Sequence, residues 1–400
     1  MLFEELNVKK EIVEELKKEG IVEPTYIQEK VIPLIRTGVD VVGKSKTGSG
    51  KTAAFSIPLL EMVVPNKKLQ VVIIAPTREL AFQISGELTK FSRGLNVSIA
   101  TVFGGVSINP QIEALSKSEI VVGTPGRLLD HLHRRTINMT TLKTFVLDEA
   151  DKLVEMGFVE DIIELLNATP SNRQILLFGA TLSYDTDQIK QYMHNPAFVS
   201  AEDHVEDEFL EQFYYDVAHY EKFSLLVHLL NKEQEGRAII FCSKISTVEL
   251  VSDNLRAHRI KCEMIHGKLS QNRRLRALEM FHKNKVNVLV ASPVAARGLD
   301  IKGVTHIYNY DLSQDPQEYV HRIGRTARAE ATGIAITLLS REDHPVFRNI
   351  NQRYPFSVQK LTSENFEKLK IYTKSLNTYQ RRPNERFFNT NRSNRAKFTG

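Results

Sequence analysis

The first group of residues that could do chemistry is a glycine-rich run near the amino terminus. It follows an apolar stretch at residues 39–43, precedes a helical pattern at residues 53–62, and reads Ser45-Lys46-Thr47-Gly48-Ser49-Gly50-Lys51-Thr52. Glycines let backbone N–H groups wrap phosphates, a lysine reaches the β and γ phosphates, and a threonine hydroxyl ligates Mg²⁺. The strict pattern has Gly or Ala where this chain has Ser45. A structural turn is the alternative, but this order of strand, loop and helix favours an ATP site at residues 47–52, with Thr52 on the metal.

A second group is a pair of acids at the end of an apolar run. The sequence is Phe145-Val146-Leu147-Asp148-Glu149-Ala150-Asp151. At the carboxyl edge of a sheet beside the phosphate loop, Asp148 could hold Mg²⁺, mostly through water. Glu149 could then orient and deprotonate the attacking water. A solvated acidic turn is the alternative, but the upstream phosphate loop favours a metal-and-base pair.

A third group lies in the second half of the chain and contains closely spaced arginines. It reads His321-Arg322-Ile323-Gly324-Arg325-Thr326-Ala327-Arg328. Arg325 and Arg328 are three apart, so they share one face of a helical turn. They could simply form surface salt bridges. Opposite a phosphate loop they are typical of arginine fingers, which can raise hydrolysis by roughly 10³–10⁵.

Two series of short apolar, β-branched runs would position these groups. The first series occupies residues 39–43, 71–75, 98–103, 120–123, 145–147 and 175–178. The second occupies residues 237–241, 286–291, 306–310 and 334–339. Alternation with helical patterns predicts two α/β domains, each a mostly parallel sheet flanked by helices. Ligand-binding loops follow the carboxyl ends of such strands, and the three groups lie just after them.

The domain boundaries follow from composition. Residues 203–209 are acidic and lack apolar periodicity, so we predict a linker between domains at residues 1–202 and 210–365. Residues 366–400 form a basic tail, and from residue 379 onward Asn, Arg, Ser and Thr predict disorder. The last 30 residues carry seven Lys/Arg and one acid, whereas the whole chain has a net charge of +5. The basic field is therefore confined to the tail.

Other features of the 400-residue sequence limit the classes of protein to which it could belong. No apolar stretch reaches 18 residues, so we expect no membrane span, and the first residues do not resemble a signal peptide. Cys242 and Cys262 lie in or after strand-like runs, which predicts buried thiols in a reducing compartment. These features favour a cytoplasmic protein with a monomeric core.

The motif Asp148-Glu149-Ala150-Asp151 is the sequence that names the DEAD-box RNA helicases, and roughly residues 3–345 resemble that family in motif order. The resemblance implies two tandem RecA-like domains. Phe3 and the run that ends at Gln28 resemble the adenine-reading element. An amide can pair with N6 and N7 of adenine while a phenylalanine stacks on the ring, so we expect a preference for ATP. Asp300 resembles the position that approaches the ribose.

The resemblance also implies an RNA site on both domains. In the first domain it covers Pro76, Thr77, Arg78, Gly105, Thr124, Gly126 and Arg127. In the second it covers Gln271, Arg274, Ser292, Arg297 and Gly298. Arginines and hydroxyls at such positions contact phosphates and 2′-hydroxyls, so we expect little sequence specificity. The basic tail could add an unspecific RNA anchor, or could simply be a solvated end.

Coupling between the two sites is implied for Asp151, Gly179, Thr181 and His321, and several departures from the family pattern bear on it. The usual Ser-Ala-Thr is Gly179-Ala180-Thr181, which removes a hydroxyl near Asp151, and the usual Thr-Asp is Ser292-Pro293. Lys244 stands at a Thr position and Lys268 at an Asp position. These changes predict an altered RNA grip or weaker coupling. None affects Lys51, Asp148 or Glu149, so ATP hydrolysis should survive.

The resemblance implies that ATP and RNA each bridge the two domains, and that hydrolysis reopens them. We therefore expect local, non-processive unwinding of short RNA duplexes, and remodelling of RNA or of ribonucleoproteins, with ribosome-assembly particles among the conceivable partners. Two alternatives stay open: an ATP-gated RNA clamp or annealer with little unwinding, and a DNA translocase of the same superfamily. A small-molecule kinase would leave the motifs of the second domain unexplained.

Overall fold

The computed structural model describes ten segments of the chain. They are residues 1–45, 48–180, 186–201, 210–233, 236–296, 301, 303–326, 333–354, 356–362 and 365–372, and the side chains of residues 294 and 296 are not part of the description. Both predicted α/β domains are present. Each contains one seven-stranded sheet in which every strand pair is parallel.

The first domain places its sheet in the order β3-β4-β2-β5-β6-β1-β7. Its strands are β1 (Val41–Lys44), β2 (Val71–Ile74), β3 (Ile99–Val102), β4 (Ile120–Gly123), β5 (Thr144–Leu147), β6 (Gln174–Gly179) and β7 (Ala197–Ser200). Its helices are α1 (Lys10–Lys18), α2 (Tyr26–Arg36), α3 (Lys51–Met62), α4 (Arg78–Phe91), α5 (Asn109–Leu115), α6 (Pro125–His133), α7 (Ala150–Glu155), α8 (Val159–Asn167) and α9 (Asp187–Lys190).

The second domain places its sheet in the order β10-β11-β9-β12-β13-β8-β14. Its strands are β8 (Leu210–Asp216), β9 (Ala238–Phe241), β10 (Cys262–Ile265), β11 (Val288–Ala291), β12 (His306–Asn309), β13 (Gly333–Leu339) and β14 (Val358–Leu361). Its helices are α10 (Lys222–Lys232), α11 (Ile245–Ala257), α12 (Gln271–His282), α13 (Pro293–Ala296), α14 (Pro316–Ile323) and α15 (His344–Arg353), with a short 3₁₀ helix at His219–Glu221.

The sequence dictates this layering through its continuous apolar strands. Every residue of β2, β4 and β5 is buried, because helices cover both faces of the sheet. Each domain accordingly has two apolar clusters, one on each side of its sheet. Both cysteines are free and buried, as predicted. Across the described segments, no helix combines the length and apolar character needed to cross a membrane.

The structure adds four strands to the ten predicted ones. They are β7, β8, β10 and β14, and each has partly exposed residues. Three of them form sheet edges, where one neighbour is missing and mixed polar sequences are tolerated. Apolar runs alone therefore missed them.

The segment after β14 differs from its prediction as a basic tail. Residues 365–372 pack along the second domain, where Phe366, Leu369 and Ile371 contact an apolar cluster. The buried amide of Asn254 accepts a hydrogen bond from the backbone N–H of Tyr372 at 2.7 Å and donates to its carbonyl at 3.1 Å. The packed region thus extends at least seven residues beyond the predicted boundary at 365. The predicted linker at residues 203–209 and the residues from 379 onward lie outside the described segments.

Candidate functional site

The two halves of the first sheet carry different groups of candidate residues. The phosphate loop follows β1, Asp148 follows β5, and Ala180 follows β6, and these three strands are neighbours. The predicted RNA-contacting residues follow β2, β3 and β4, which are neighbours on the other half. Parallel pairing brings the carboxyl ends of all six strands to one edge. The topology thus places two adjacent sites along that edge.

The phosphate loop is closed by its own side chains. Lys51 is buried and donates from Nζ to the carbonyl of Ser45 at 2.5 Å. The hydroxyl of Ser45, the residue that departs from the strict pattern, lies 2.7 Å from that of Ser49. Gly48 and Gly50 both have a φ of +88°, a left-handed conformation that favours glycine. Thr47 lies outside the described residues.

Gln28 connects the predicted adenine element to the phosphate loop. Its Nε2 donates to the carbonyl of Gly50 at 3.1 Å, and its Oε1 accepts from the N–H of Thr25 at 2.9 Å. The hydroxyl of Thr25 also donates to the carbonyl of Ser49 at 2.8 Å. A primary amide has two donors and two acceptor lone pairs, so Gln28 retains one of each for adenine. A Cβ at Gly50 would approach Gln28 Nε2 to 2.3 Å, so any side chain there would displace the Gln28 amide.

The side chain of Phe3 is buried in the protein, whereas a residue that stacks on a base needs an accessible ring face. Only 1% of its surface is exposed, and it belongs to the apolar cluster of the first domain. In this structure the ring serves packing between the amino-terminal segment and the domain. Stacking on adenine would require one of its faces to be uncovered, so that role stays a prediction.

The acidic pair is buried and electrostatically unbalanced. Burial and the neighbouring Glu149 raise the pKa of Asp148 to about 7. Burial also opposes ionisation of Glu149, but Lys152, Arg325 and Lys51 outweigh it and keep the pKa of Glu149 below its usual value. Glu149 has a left-handed φ of 51°, and its buried Oε2 lacks a hydrogen-bond partner in the described structure. Such strain and desolvation are typical of functional sites.

This arrangement fits a divalent cation with hard oxygen ligands. Asp148 supplies a carboxylate, and Thr52 supplies a hydroxyl at the start of α3. Within the described segments, no group of three or more His, Cys, Asp or Glu could hold a metal by itself. Mg²⁺ commonly uses one carboxylate plus phosphate oxygens, so the donor set suits it. Bound there, it would neutralise the buried acids and polarise the phosphates.

The second domain contributes to the same site through Arg325. This residue is 3% exposed, just after α14, and its charge lowers the pKa of Glu149 in the first domain. The charges of Glu149 and Arg325 therefore interact across the domain interface. A second cation, Lys152, pairs with Glu149 at 2.7 Å. Arg328 and Asp300 lie outside the described residues.

Two contacts support the predicted coupling around Asp151. Its Oδ2 accepts a hydrogen bond from the backbone N–H of Ala180 at 3.1 Å, as predicted for this segment. The backbone N–H of Ser45 donates to the carbonyl of Gly179 at 3.0 Å. The segment with the missing hydroxyl is therefore anchored to both the acidic motif and the phosphate loop by backbone groups. His321 lies in the last turn of α14, and Thr181 is outside the described residues.

The predicted RNA-contacting residues of the first domain come together around one loop. The Arg78 guanidinium packs on Gly105, where a Cβ would lie 2.1 Å from Nη1. Arg127 donates from Nη2 to the carbonyl of Val106 at 3.2 Å. Thr77 and Thr124 precede α4 and α6 as N-cap residues. Pro76 precedes Thr77, and Gly126 is the second residue of α6.

In the structure Gln271 and Arg274 contact the first domain, and their predicted RNA contact stays a prediction. Gln271 Nε2 donates to Glu79 Oε1 at 2.7 Å, and Arg274 Nη2 lies 3.0 Å from Glu79 Oε2. Glu79 belongs to the first domain and is 1% exposed. These two side chains therefore join the domains in this structure. Ser292 is buried after β11, and Arg297 and Gly298 lie outside the described residues.

Sequence reasoning missed three residues at the domain interface. They are Glu79, Lys152 and Gln317, the last of which donates from Nε2 to Glu155 Oε1 at 2.8 Å. Glu79 follows Arg78 inside a recognised motif, and Lys152 directly follows the acidic motif, so both positions carried a signal. The partners of Glu79 depend on tertiary structure, whereas Lys152 pairs with Glu149 three residues away. Gln317 has no such signal.

Two departures from the family pattern have smaller structural consequences than the sequence alone suggests. Pro293 is the first residue of α13, where a missing N–H costs no helical hydrogen bond. Lys244 is the N-cap of α11 and makes no side-chain capping bond, which costs roughly 1 kcal/mol relative to a threonine cap. Pro293 therefore removes only the family's negative charge, and Lys244 is exposed at the carboxyl end of β9.

Comparison with known proteins identifies the family. The family model for the DEAD/DEAH box helicase matches residues 25–189, and that for the helicase conserved C-terminal domain matches residues 221–330. A DEAD-box ATP-dependent RNA helicase, CshA of Bacillus licheniformis, is 43% identical over 354 residues, which cover 88% of this chain and 73% of that protein. The chain belongs to the DEAD-box helicases. The predicted RecA-like fold is confirmed with it.

Solved structures of DEAD-box helicases also indicate how the two domains are arranged. S. cerevisiae Dbp5 bound to RNA and ADP BeF3 matches with a TM-score of 0.82 at 28% identity, over 90% of this chain and 95% of that chain. A DEAD box protein from Methanococcus jannaschii is 39% identical, yet its TM-score is 0.56 over 90% of this chain and 99% of that one. The domain arrangement here therefore resembles that of the Dbp5 complex more closely, in agreement with the contacts across the interface.

Proposed function

We propose that this DEAD-box protein uses ATP binding and hydrolysis to close and reopen a clamp on RNA. It is an ATP-dependent RNA helicase, and its reaction converts ATP and water to ADP and phosphate. The observation that carries the proposal is the electrostatic interaction of Glu149 with Arg325, because these buried groups come from different domains and Glu149 belongs to the acidic motif beside the phosphate loop. A site completed across an interface makes catalysis depend on domain closure.

Each motif then has a role in the nucleotide site. Gln28 recognises adenine. Residues 47–52, which include Lys51, bind the phosphates. Asp148 and Thr52 hold Mg²⁺. Glu149 positions and deprotonates the attacking water, while Arg325 and Arg328 stabilise the transferred phosphoryl group from the second domain. Asp300 approaches the ribose. Phe3 remains a candidate for stacking on the base.

The RNA site follows the same division between the domains. Residues 76–78, Gly105, Thr124, Gly126 and Arg127 contact the backbone from the first domain, and Ser292, Arg297 and Gly298 from the second. Asp151, residues 179–181 and His321 couple the two sites. ATP and RNA stabilise the same closed state, so each should tighten binding of the other by the same factor. A strand bent by the closed groove cannot stay in an intact duplex, which predicts local, non-processive unwinding.

The remaining parts of the proposal concern the whole protein. Domains at residues 1–202 and 210–365, joined by a linker at 203–209, give the clamp its two halves, with residues up to 372 packed on the second. The basic tail serves as an unspecific RNA anchor. We place the protein in the cytoplasm as a monomeric core that acts on RNA or on ribonucleoproteins, with no membrane attachment.

The test is an ATPase assay with three arms: no nucleic acid, single-stranded RNA, and DNA of the same sequence. We expect RNA to stimulate hydrolysis and DNA to stimulate it little. Equal stimulation by DNA would favour a translocase and contradict the proposal. The variant Glu149→Gln should lose turnover but keep ATP-dependent RNA binding, and loss of both would count against the composite site.

A second candidate function is an ATP-gated RNA clamp or annealer. Gly179 favours it, because the missing serine hydroxyl removes one contact from the segment that couples the sites. Short-duplex unwinding measured beside RNA-stimulated ATPase separates the two. ATPase activity without unwinding would select the clamp, whereas strand separation at a comparable rate would select the helicase.

A further inference from the structure

Lys152 is a buried cation beside the acidic motif. It is the third residue of α7, and both its side chain and that of Glu149 are almost wholly shielded from solvent, with 5% and 8% exposed. Removing an ammonium group from water is unfavourable, so a lysine is rarely buried this fully unless it is paired. The residue therefore needs an account beyond packing, and its partner supplies one.

The partner of Lys152 is the residue proposed as the general base. Lys152 Nζ lies 2.7 Å from Glu149 Oε1, and the two residues are three apart in the chain. An exposed pair at this spacing contributes little and leaves both side chains mobile. Here burial excludes competing water, so the ammonium group fixes one oxygen of the carboxylate.

The other oxygen of the carboxylate has free acceptor capacity. Glu149 Oε2 is buried, and within the described segments it has no hydrogen-bond partner. An ionised carboxylate accepts hydrogen bonds through both oxygens. A general base must lie within hydrogen-bond distance of the proton that it removes. The ion pair thus leaves one oxygen fixed and the other available to a water molecule.

Two further cations, Lys51 and Arg325, interact with the charge of Glu149. The proposed function assigns both to the phosphates of ATP, and Lys51 Nζ already donates to the carbonyl of Ser45 in the phosphate loop. No phosphate is assigned to Lys152. It is therefore the cation that can remain with Glu149 while the other two bind ATP.

The backbone of Lys152 connects this pair to the coupling segment. Its N–H donates to the carbonyl of Glu149 at 2.9 Å and to Asp151 Oδ1 at 3.1 Å. The other oxygen of Asp151 accepts from the N–H of Ala180. Asp151 is thus shared between Lys152 and residues 179–181. These contacts hold Lys152 in place from both sides of the motif.

We propose that Lys152 is a positioning residue for ATP hydrolysis, which holds Oε1 of Glu149 and so presents Oε2 to the attacking water. The inference rests on the proposed function, because that function makes Glu149 the general base. Lys152 itself contacts neither ATP nor the water in this role. A misplacement of about 1 Å can cost about 10²-fold in rate, so loss of Lys152 should lower turnover and leave ATP binding intact.

The test compares two variants of the full chain that each remove a buried lysine. Lys152→Met removes the partner of Glu149. Lys222→Met is the matched control, because Lys222 is equally buried and its Nζ lies 2.6 Å from Asp343 Oδ2, in the second domain. RNA-stimulated ATPase gives kcat and KM for ATP. Fluorescence anisotropy with labelled RNA and a non-hydrolysable ATP analogue gives RNA affinity, and thermal unfolding gives the stability of each variant.

For Lys152→Met we expect kcat to fall about 10- to 100-fold, with KM for ATP and RNA affinity within about 2-fold of the unaltered chain. Lys222→Met should unfold at a lower temperature but keep its kcat within about 2-fold. Lys152→Arg keeps the charge and a donor, so it should recover most of the rate. An unchanged kcat in Lys152→Met, or a higher ATPase rate without RNA, would overturn the proposal.

A less disruptive substitution covers the case in which Lys152→Met is unfolded at the assay temperature. Lys152→Gln has a similar length but no charge, and it then takes the place of the methionine variant. We expect its kcat to lie clearly below that of Lys152→Arg, because a neutral amide holds a carboxylate less firmly than a cation does. An equal kcat in the two variants would overturn the proposal.

A double-mutant cycle separates positioning of the base from a general structural effect. If Lys152 acts through Glu149, then Lys152→Met should lower the residual rate of Glu149→Gln by no more than about 2-fold, since the base is already absent. A larger further loss would overturn the proposal. Full turnover in Glu149→Gln would instead remove Glu149 as the base and take the proposed function with it. An inactive Glu149→Gln beside a fully active Lys152→Met would overturn this inference alone.

Discussion

The two sides of the domain interface differ in how their charges are satisfied. On the ATP side, Asp148 and Glu149 are buried side by side, and burial raises the pKa of Asp148 to about 7. On the RNA side, the single acid Glu79 is matched by Gln271 and Arg274 at 2.7 and 3.0 Å. On the ATP side, the ionised form of Asp148 is destabilised by burial and by Glu149, and a bound cation would relieve this. On the other side, the buried acid already has partners from the second domain.

This difference indicates a division of labour between the sites. A buried pair of acids keeps its strain only where the surrounding structure enforces it, which is expected of a site that binds cations and phosphates. An ion pair between the domains instead stabilises closure without ligand. We infer that the RNA side of the interface biases the clamp towards closure, while the ATP side makes closure productive.

The largest loss of ATP hydrolysis should follow from removing Arg325, the side chain that the second domain contributes to the ATP site. For Arg325→Ala we expect the RNA-stimulated kcat to fall by about 10³-fold or more, because an arginine finger stabilises charge only in the transition state. ATP affinity should change far less. Steady-state ATPase and nucleotide binding measured on the same preparations check this, with exposed Arg341 as the control site for the same substitution. A loss below about 10-fold would remove Arg325 from the catalytic site.

A substitution that fills the space between the phosphate loop and the adenine element should weaken ATP binding, an effect smaller than that of Arg325→Ala but still large. Gly50 has a φ of +88°, and a Cβ there would lie 2.3 Å from Gln28 Nε2. The left-handed conformation alone costs a non-glycine residue about 1–2 kcal/mol, and the clash adds to it. Gly50→Ala should therefore weaken ATP binding by at least about 10-fold.

The matched control for this change is Gly86→Ala. Gly86 lies within α4, and a Cβ there would meet nothing within 4 Å. Alanine also favours a helix over glycine by about 1 kcal/mol, so this variant should bind ATP normally and resist unfolding slightly better. Equal nucleotide affinity in the two variants would mean that the contact between Gln28 and Gly50 does not shape the site.

On the RNA side, Glu79→Ala should loosen the closed state. Removing one partner of a buried ion pair commonly costs about 3–5 kcal/mol, but here the domains can separate instead of bearing that cost. We expect less closure without ligands in a two-dye energy-transfer assay, and an RNA concentration for half-maximal ATPase raised by about 10-fold. Glu113→Ala is the control, since Glu113 pairs with Lys117 on the exposed surface of the same domain.

A double-mutant cycle of Glu79→Ala and Arg274→Ala sharpens the comparison. Residues in direct contact typically show coupling energies of about 0.5–3 kcal/mol. A coupling near zero, with Arg274→Ala alone weakening RNA binding, would return Arg274 to the RNA contact that the family resemblance implies. A large coupling would establish it as part of the interface.

The same comparison separates what the sequence could predict from what it could not. Lys51 and Asp148 lie in motifs whose chemistry is local, so residue type and the preceding strand were sufficient to predict a shared site, whereas Gln28 was assigned to it only by the family resemblance. The partners of Glu79 are about 190 positions away in the chain, and no local pattern contains that pairing. Phe3 shows the converse limit, because the resemblance implies a role in stacking on adenine but does not reveal that the ring packs in the core of the first domain.

Secondary structure follows a related physical rule. The strands that apolar runs predicted include those buried along their whole length, such as β4 and β9. The missed strands have partly exposed positions, where polar residues are tolerated as well as apolar ones. Their sequences therefore lack a continuous apolar run. The packing of residues 366–372 was also missed, since three apolar side chains among polar ones do not reveal the surface that they cover.

The smallest expected effect concerns the coupling between the two sides, and Gly179→Ser tests it. Gly179 ends β6 in an extended conformation that other residues can adopt, and the added hydroxyl would supply a hydrogen bond worth about 0.5–1.5 kcal/mol. The contact from Ala180 to Asp151 at 3.1 Å already exists, so ATPase activity should change by no more than about 2-fold. Unwinding of a short duplex per ATP consumed should rise by about 2- to 10-fold, which is the size of one such bond. Gly86→Ser controls for the substitution itself, and an equal response of ATPase and unwinding would show that this segment stabilises the first domain without linking hydrolysis to strand separation.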